Sequence, residues 1–181
     1  MYKTATFLVK HYWGSPKETA DGLGVLLLTW NQAFYRYGSF NFEKLESFIK
    51  RNHSKLSAFR TRNILSHSDA DYRAVKKLFD EVLVSLSIES GKKAGVSSPV
   101  AAAKALHLLA PDFFPLWDDK IARGYKLHYS KNATEQYIRF IEVTRRIASE
   151  LPVGLNPSLK GRSAIKMIDE YNFARYTKKW L

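Results

Sequence analysis

Hydrophobic residues recur at intervals of three and four positions along most of the chain, which is the period of an amphipathic α-helix. The widest such stripe lies between Ser15 and Gly38 and consists of Leu23, Leu26, Leu27, Trp30, Ala33, Phe34 and Tyr37. Alternation of apolar and polar residues at the period of a β-strand is almost absent. The pattern therefore predicts an all-α protein.

Capping signals divide this pattern into a compact bundle of about seven helices with short connections. The sequence Ser15-Pro16-Lys17-Glu18 combines an N-cap, a first-turn proline and a capping-box glutamate, and Gly38 closes that segment. The later helices are predicted to begin at Asn41, at Ser68 or Asp69, at Ser98-Pro99, at Asp118, at Asn132 and at Gly161 to Ser163. The helix from Ser98 must stop before Pro111, because proline lacks an amide hydrogen and restricts the residue before it. The last two helices are predicted to end near Glu150 and Trp180.

Length and composition fit one globular domain. The chain has 181 residues, of which 45% are hydrophobic and 25% charged, so it can form one sizeable core. We predict a single helical domain over residues 1–181, with a two-lobed arrangement around a cleft near residues 95–123 as the variant. Pro152 to Pro157 is the only loose linker and does not indicate a domain boundary. The absence of cysteine excludes disulfides and cysteine-based metal sites.

No segment has the features of a targeting signal or a membrane span. The stretch from Met1 to Trp13 lacks a long apolar core followed by a small-residue cleavage site. The apolar run from Leu23 to Trp30 is too short to cross a bilayer. We therefore expect a soluble, cytoplasmic monomer without a membrane partner.

The strong positive charge points to a class of partner. The formal net charge is +12 and the pI is near 9.8, and such an excess attracts polyanions through phosphate contacts. DNA is the predicted partner. The segment from Ser47 to Ser68 contains no acidic residue and carries Lys50, Arg51, Lys55, Arg60 and Arg62. This run fits either a phosphate-binding face or a solvated surface, and the overall charge also fits a surface that only keeps the protein soluble.

The segment Gly95-Val96-Ser97-Ser98-Pro99-Val100-Ala101 predicts an anion site. A glycine before a helix allows a turn with positive φ and leaves backbone amides pointing outward, and the helix dipole adds partial positive charge. Lys92 and Lys93 precede the turn and Lys104 lies on the helix, so amides and ammonium groups would meet a phosphate together. The alternative is a small-residue helix packed in the core behind an ordinary loop.

The turn is followed by a helix and then by an aspartate. Gly95-Val96-Ser97 is followed by the small residue Ala101 and then by Asp118. The sequence Asp118-Asp119-Lys120-Ile121-Ala122-Arg123 matches an Asp-x-His-Val-x-Arg pattern at its aspartate, aliphatic and arginine positions. On these residues the segment resembles the helix-hairpin-helix DNA glycosylase superfamily, as a divergent member.

The resemblance implies a helix-hairpin-helix element and a role in DNA repair by base excision. Asp118 would be the catalytic carboxylate of a hydrolase that cleaves the N-glycosidic bond of a damaged or modified base. The implied DNA-binding residues are those of the turn and its basic neighbours, namely Lys92, Lys93, Gly95, Val96, Ser97, Lys104, Lys120 and Arg123. The family's hairpin carbonyls often hold a monovalent cation, so potassium or sodium is implied there. No other metal and no organic cofactor is expected.

Several positions depart from the family pattern, among them Lys93-Ala94, where a Leu-Pro pair is usual. Ser97 replaces the second hairpin glycine, Lys120 replaces the histidine, and Pro99 stands where bifunctional members carry a nucleophilic lysine. Because proline cannot form a Schiff base, the sequence favours a monofunctional enzyme that uses water, unless Lys104 substitutes.

A base that leaves the stack needs a pocket with aromatic or apolar walls. Trp30, Tyr35 and Trp117 are the candidates for that base pocket, whereas Phe113 and Phe114 are interpreted as core anchors. Asp118 has an alternative role as the plain N-cap of the helix that follows. The two roles are compatible, because a cap position fixes the orientation of the carboxylate.

Two other functions stay open at this level. One is a non-catalytic helix-hairpin-helix module that binds nucleic acid, which the departures at Ser97, Pro99 and Lys120 favour. The other is a helical protein-interaction domain whose charge is incidental. The five histidines show no metal-binding spacing. The sequence does not indicate which base would be recognised.

Overall fold

The computed structural model of the chain describes residues 2–152 and 163–181, and the described part is all-α, as predicted. The helices are α1 (Tyr2–His11), α2 (Pro16–Trp30), α3 (Gln32–Tyr35), α4 (Phe42–Arg60), α5 (Tyr72–Ser85), α6 (Pro99–Leu109), α7 (Asp119–Gly124), α8 (Ala133–Glu150) and α9 (Ala164–Asn172). A π-helical turn, Phe173–Lys178, continues α9. Short 3₁₀ turns at Ile64–Ser66 and Asp69–Asp71 join α4 to α5.

Side-chain caps fix several of these boundaries. The Asn41 side chain accepts hydrogen bonds from the amides of Glu43 and Lys44 at the start of α4. Ser98 caps α6 by accepting from the Ala101 amide, and Ser163 caps α9 in the same way. Each cap satisfies an amide that the first helical turn leaves without a partner. The helix starts predicted at these three positions are therefore confirmed.

The observed helices differ from the predicted ones in two places. The segment from Ser15 to Gly38 is two helices, because the backbone leaves the helical conformation at Asn31 (φ −115°, ψ 34°) and α3 starts again after it. Helix α1 precedes the first predicted helix. Gly161 and residues 153–157 of the predicted linker lie outside the described residues.

Helix α6 lies in the middle of the core and contacts α1, α2, α5 and α8. Its four alanines, Ala101, Ala102, Ala103 and Ala105, are fully buried. Alanine side chains let neighbouring helices approach closely while the interior stays densely packed. The small-residue helix is therefore a core element, and it holds the loop before it and the segment after it in fixed positions.

None of the helices in the described ranges combines the length and the apolar character that a membrane crossing requires.

Gly38 allows the chain after α3 to pack against the loop formed by residues 86–98. The Glu89 amide donates to the Ser39 carbonyl at 2.9 Å, and a Cβ atom at Gly38 would lie 2.8 Å from the carbonyl oxygen of Ser90. We expect Gly38→Ala to lower the free energy of unfolding by about 1–3 kcal/mol, because a backbone carbonyl cannot move without shifting the loop. Denaturant unfolding followed by circular dichroism measures this change.

The control is Gly22→Ala, within α2. There the nearest atom to a new Cβ, Leu8 Cβ, is 3.5 Å away, which is an ordinary contact. Alanine is the better helix former by up to about 1 kcal/mol, so this variant should be at least as stable as the parent. A Gly38→Ala protein with unchanged stability would show that the two loops do not depend on each other.

Candidate functional site

Asp118 follows a buried segment that connects α6 to α7. Phe113, Phe114 and Trp117 are all within 1% of full burial. His107 of α6 donates its Nδ1 hydrogen to the Phe114 carbonyl, 2.8 Å away, and burial lowers the pKa of this ring to about 4. The Tyr137 hydroxyl donates to the Pro115 carbonyl at 2.8 Å. The backbone that leads to Asp118 is therefore held by the core, as expected for the two phenylalanines.

The Asp118 carboxylate is held at both oxygens. Oδ1 accepts the Ile121 amide at 2.8 Å and caps α7. Oδ2 accepts the Thr177 hydroxyl, from the π-helical turn, at 3.2 Å. Each carboxylate oxygen can accept a further hydrogen bond. Asp118 is thus the predicted N-cap, and the cap leaves a carboxylate of fixed orientation with acceptor capacity to spare.

Asp118 lines two neighbouring cavities. The first, which we call the outer groove, has a volume of about 590 Å³ and includes Ser97 and Ser98 of the predicted turn. The second, the inner cavity, has a volume of about 290 Å³ and includes Lys104. Trp30 lines both. Volumes of this order are in the lower range of small-molecule sites. The carboxylate, an indole ring and an ammonium group predicted separately from the sequence therefore meet at one place.

Lys104 points into the protein and not toward the loop surface. Its ammonium group donates to Asn31 Oδ1 at 2.7 Å and to the Trp30 carbonyl at 3.2 Å, and it lies 4.6 Å from the centre of the Trp30 ring. Burial lowers the pKa of Lys104 to about 8, although the charge of Asp118 opposes this shift. The group joins α6 to the end of α2, beside Asp118.

A partly buried ion pair also lines the inner cavity. Lys166 donates to Asp169 Oδ2 at 3.1 Å within α9. Burial raises the pKa of Asp169, and the positive charge of Lys166 partly offsets that shift. With Glu170, the inner cavity therefore has two ammonium groups and three carboxylates in its lining.

The turn before α6 is built differently from the anion site that its sequence predicts. Gly95 has a positive φ of 80°, as expected of a glycine in a tight turn. However, its amide donates to the Ile88 carbonyl at 2.8 Å, and the Val96 amide donates to the Lys93 carbonyl at 3.1 Å. These two amides close the loop, so the prediction that they point outward to an anion is wrong. The helix-hairpin-helix interpretation of this segment stays a prediction.

The resemblance implies a monovalent cation at the turn. The carbonyls of Ile88, Gly91, Lys93 and Val96 each accept an amide hydrogen bond from within the loop. Because each carbonyl oxygen has a second lone pair, a cation at the turn would share these oxygens with the amides. The cation stays a prediction. Within residues 2–152 and 163–181, no three histidine, aspartate or glutamate side chains are grouped so that they could hold a metal ion.

Two of the three base-pocket candidates are core residues. Tyr35 is 7% exposed and its hydroxyl donates to the Leu86 carbonyl at 2.9 Å, so it lines neither cavity. Trp117 is 1% exposed, donates its indole hydrogen to the Pro99 carbonyl and packs against Tyr137. It borders the inner cavity only as a buried wall. Trp30 is the aromatic residue of this set that a ligand in the groove would meet.

The basic candidates occupy three kinds of position. Lys92 and Lys93 are exposed on the loop before α6, with Lys93 Nζ 5.2 Å from the Tyr37 ring. Lys120 lines the outer groove and donates to the Thr177 carbonyl at 3.3 Å. Arg123 forms an ion pair with Asp119 at 2.7 Å. The groove therefore has one basic side chain at its edge, and the other exposed cations lie outside it.

Two residues of the site are absent from the sequence-based candidates. Asn31 lines the outer groove, and its side chain accepts a hydrogen bond from the Lys104 ammonium group. The Thr177 hydroxyl donates a hydrogen bond to Asp118. Asn31 carries a weak signal, since it is a polar residue directly after an apolar helical stripe. Thr177 carries none, because its role depends on contact with a residue far away in the chain.

A separate cavity of about 620 Å³ lies between α7, α8, α9 and the π-helical turn. Its walls are mainly apolar and aromatic, with Tyr125, Ile147, Met167 and Tyr176 among them. None of the sequence-predicted site residues lines it, so the cavities at Asp118 are the better candidate site.

No protein-family model, no curated protein and no solved structure matches this chain. The functional argument therefore depends on the site itself.

Proposed function

We propose that this protein binds DNA and hydrolyses the N-glycosidic bond of a damaged or modified base, with Asp118 as the catalytic carboxylate. One observation carries the proposal: Asp118 has a fixed orientation and lines two adjoining cavities, with the Trp30 ring on a shared wall. The formal charge of +12 supports a polyanionic partner. The resemblance of residues 95–123 to the glycosylase signature supports the choice of reaction.

Hydrolysis of an N-glycosidic bond requires few protein side chains. As the base leaves, positive charge builds on the sugar, and a nearby carboxylate stabilises that charge or activates the attacking water. The water oxygen bonds to the sugar carbon, the carbon–nitrogen bond breaks, and a proton from the water passes to the departing base. The base itself must leave the stack and rest against an aromatic surface. In this chain, Asp118 would stabilise the charge on the sugar or activate the water, and the extruded base would pack against Trp30.

Base release from oligonucleotide duplexes that each carry one damaged base tests the reaction. We expect Asp118→Asn to lower the rate of release by about 100- to 1,000-fold, as is typical when one electrostatic contribution to a transition state is removed. Asparagine is also a good N-cap, so α7 should stay folded. The matched control is Asp119→Asn, which removes the neighbouring carboxylate but keeps Asp118.

The outcomes separate the three functions. Release that is unchanged in Asp118→Asn would overturn the role of Asp118. Duplex binding that weakens steeply with salt, without release from any lesion of a broad panel, would favour the non-catalytic nucleic-acid-binding module. No salt-sensitive binding at all would favour the protein-interaction domain.

A further inference from the structure

An aromatic and basic surface lies beside the candidate site, on the π-helical turn and just after it. We call Phe173, Lys178 and Trp180 the aromatic platform. Trp180 is 71% exposed and Phe173 is 43% exposed. Their ring centres lie 6.3 Å apart at an angle of 88°. The Lys178 ammonium group lies 5.5 Å from the Phe173 ring centre and 6.0 Å from that of Trp180.

The platform has a defined conformation. The Trp180 amide donates to the Ala174 carbonyl at 2.9 Å, which folds the chain back over the turn. Lys179 adopts a left-handed conformation (φ 56°) that makes this reversal. The backbone at Trp180 is therefore fixed, and the indole lies edge-on to Phe173 with much of its surface in solvent.

The platform is connected to Asp118. Phe173 lines the inner cavity together with Asp118 and Lys104, and Thr177 of the same turn donates to Asp118 Oδ2. A ligand held on the platform would therefore lie next to the cavities at Asp118.

The charge of this segment favours a nucleic acid as the occupant. Residues 173–180 contain Arg175, Lys178 and Lys179 and no acidic residue. Proteins that bind single strands combine cations along the backbone with aromatic rings on which bases stack. A membrane surface is a poorer fit, because interfacial binding uses the apolar face of an amphipathic helix. This segment instead offers two exposed rings, of which Phe173 borders a cavity that contains carboxylates.

We propose that the aromatic platform binds an unpaired nucleotide of a single-stranded nucleic acid, with the base stacked on Trp180 and Lys178 near the phosphate. This inference rests on the proposed function, to which it adds a stretch of unpaired strand as the preferred ligand. A duplex that is locally unpaired beside a lesion would supply such a nucleotide.

Binding of a fluorescently labelled single-stranded thymidine oligonucleotide, measured by anisotropy, tests the platform. We expect Trp180→Ala to raise the Kd by about 5- to 150-fold, the range found when one base-stacking aromatic is removed. Trp180→Phe should recover most of the affinity because it keeps a ring. Phe7→Ala is the matched control, since Phe7 is an aromatic residue of similar exposure (63%) on α1.

An oligonucleotide with abasic positions separates stacking from charge. The wild type should bind it more weakly than the thymidine oligonucleotide, and Trp180→Ala should bind both alike. Because Trp180 is exposed, the variant should keep the unfolding midpoint of the parent, which calorimetry checks.

The possible failures are distinguishable. Tight binding of the thymidine oligonucleotide that Trp180→Ala leaves unchanged would overturn the platform but not the proposed function, which base release tests independently. Absence of binding to both single strands and duplexes would overturn both. Binding to phosphatidylserine vesicles that depends on Trp180, with no effect of Trp180 on oligonucleotide binding, would overturn the platform and assign the surface to membranes.

Discussion

Trp117→Ala is expected to lower the free energy of unfolding by about 3–5 kcal/mol, the range typical of a buried tryptophan truncated to alanine. Trp117 is 1% exposed and its ring centre lies 5.3 Å from that of Tyr137 and 5.8 Å from that of Phe140. The substitution removes these contacts and leaves a large hole between α6, α7 and α8. Urea or guanidinium unfolding, followed by far-ultraviolet circular dichroism, measures the loss.

Comparison with Trp30 shows why this result matters for function. Trp30 is only partly buried and lines both cavities, so Trp30→Ala should cost less stability and should weaken ligand binding more. Trp117→Phe should lie between the parent and Trp117→Ala in stability. If Trp117→Ala were nearly as stable as the parent, Trp117 would be free to move and its assignment to the core would be wrong.

Lys104 is expected to make stability rise with pH in the alkaline range. Burial lowers its pKa from an ordinary value of 10.5 to about 8, whereas the unfolded chain keeps the ordinary value. Between these two values the unfolded state binds more protons than the folded state, so this group stabilises the fold increasingly as pH rises. Below pH 8 the ammonium form is present in both states, and the whole cost of its desolvation lowers the free energy of unfolding.

The comparison of the parent with Lys104→Met isolates this effect. Between pH 7 and pH 10, the difference in free energy of unfolding should move by about 2 kcal/mol in favour of the parent, which allows for partial solvent screening of the site. Denaturant unfolding at several pH values provides the measurement. Lys50→Met on α4 controls for the loss of an exposed positive charge. A slope of the same size in both variants would mean that total charge, and not burial of Lys104, is the cause.

Local signals explain how much of the fold was predictable. Asn41, Ser98 and Asp118 cap helices through hydrogen bonds to residues two or three positions away, so their roles can be read from short stretches. The end of α6 before Pro111 follows equally from one residue. Helix α1 lacks such a signal, because Ala5 and Val9 are the only fully buried residues among positions 3–11 and two apolar positions make no clear stripe.

Contacts between distant parts of the chain explain what was missed. Helix propensity alone would continue the helix through Asn31, but the chain turns there, and Lys104, which is distant in sequence, binds the Asn31 side chain. Trp117 lies beside Pro115 and Asp118, a context typical of a loop, yet α8 covers it with Tyr137 and Phe140. The cap role of Asp118 was predictable because its partner, the Ile121 amide, is three positions away, and its place in the glycosylase-like pattern made the same residue the candidate carboxylate. The role of Thr177 was not predictable, because its partner lies 59 positions away.

The π-helical turn fixes the rotational register of the chain's last described residues. The backbone hydrogen bonds of such a turn span five residues instead of the four of an α-helix, and each residue in an α-helix rotates the chain by about 100°. Loss of a single residue between Phe173 and Thr177 would therefore rotate the Thr177 hydroxyl away from Asp118. The aromatic rings would rotate with it. The length of this segment thus decides whether the residues that follow α9 face the Asp118 carboxylate.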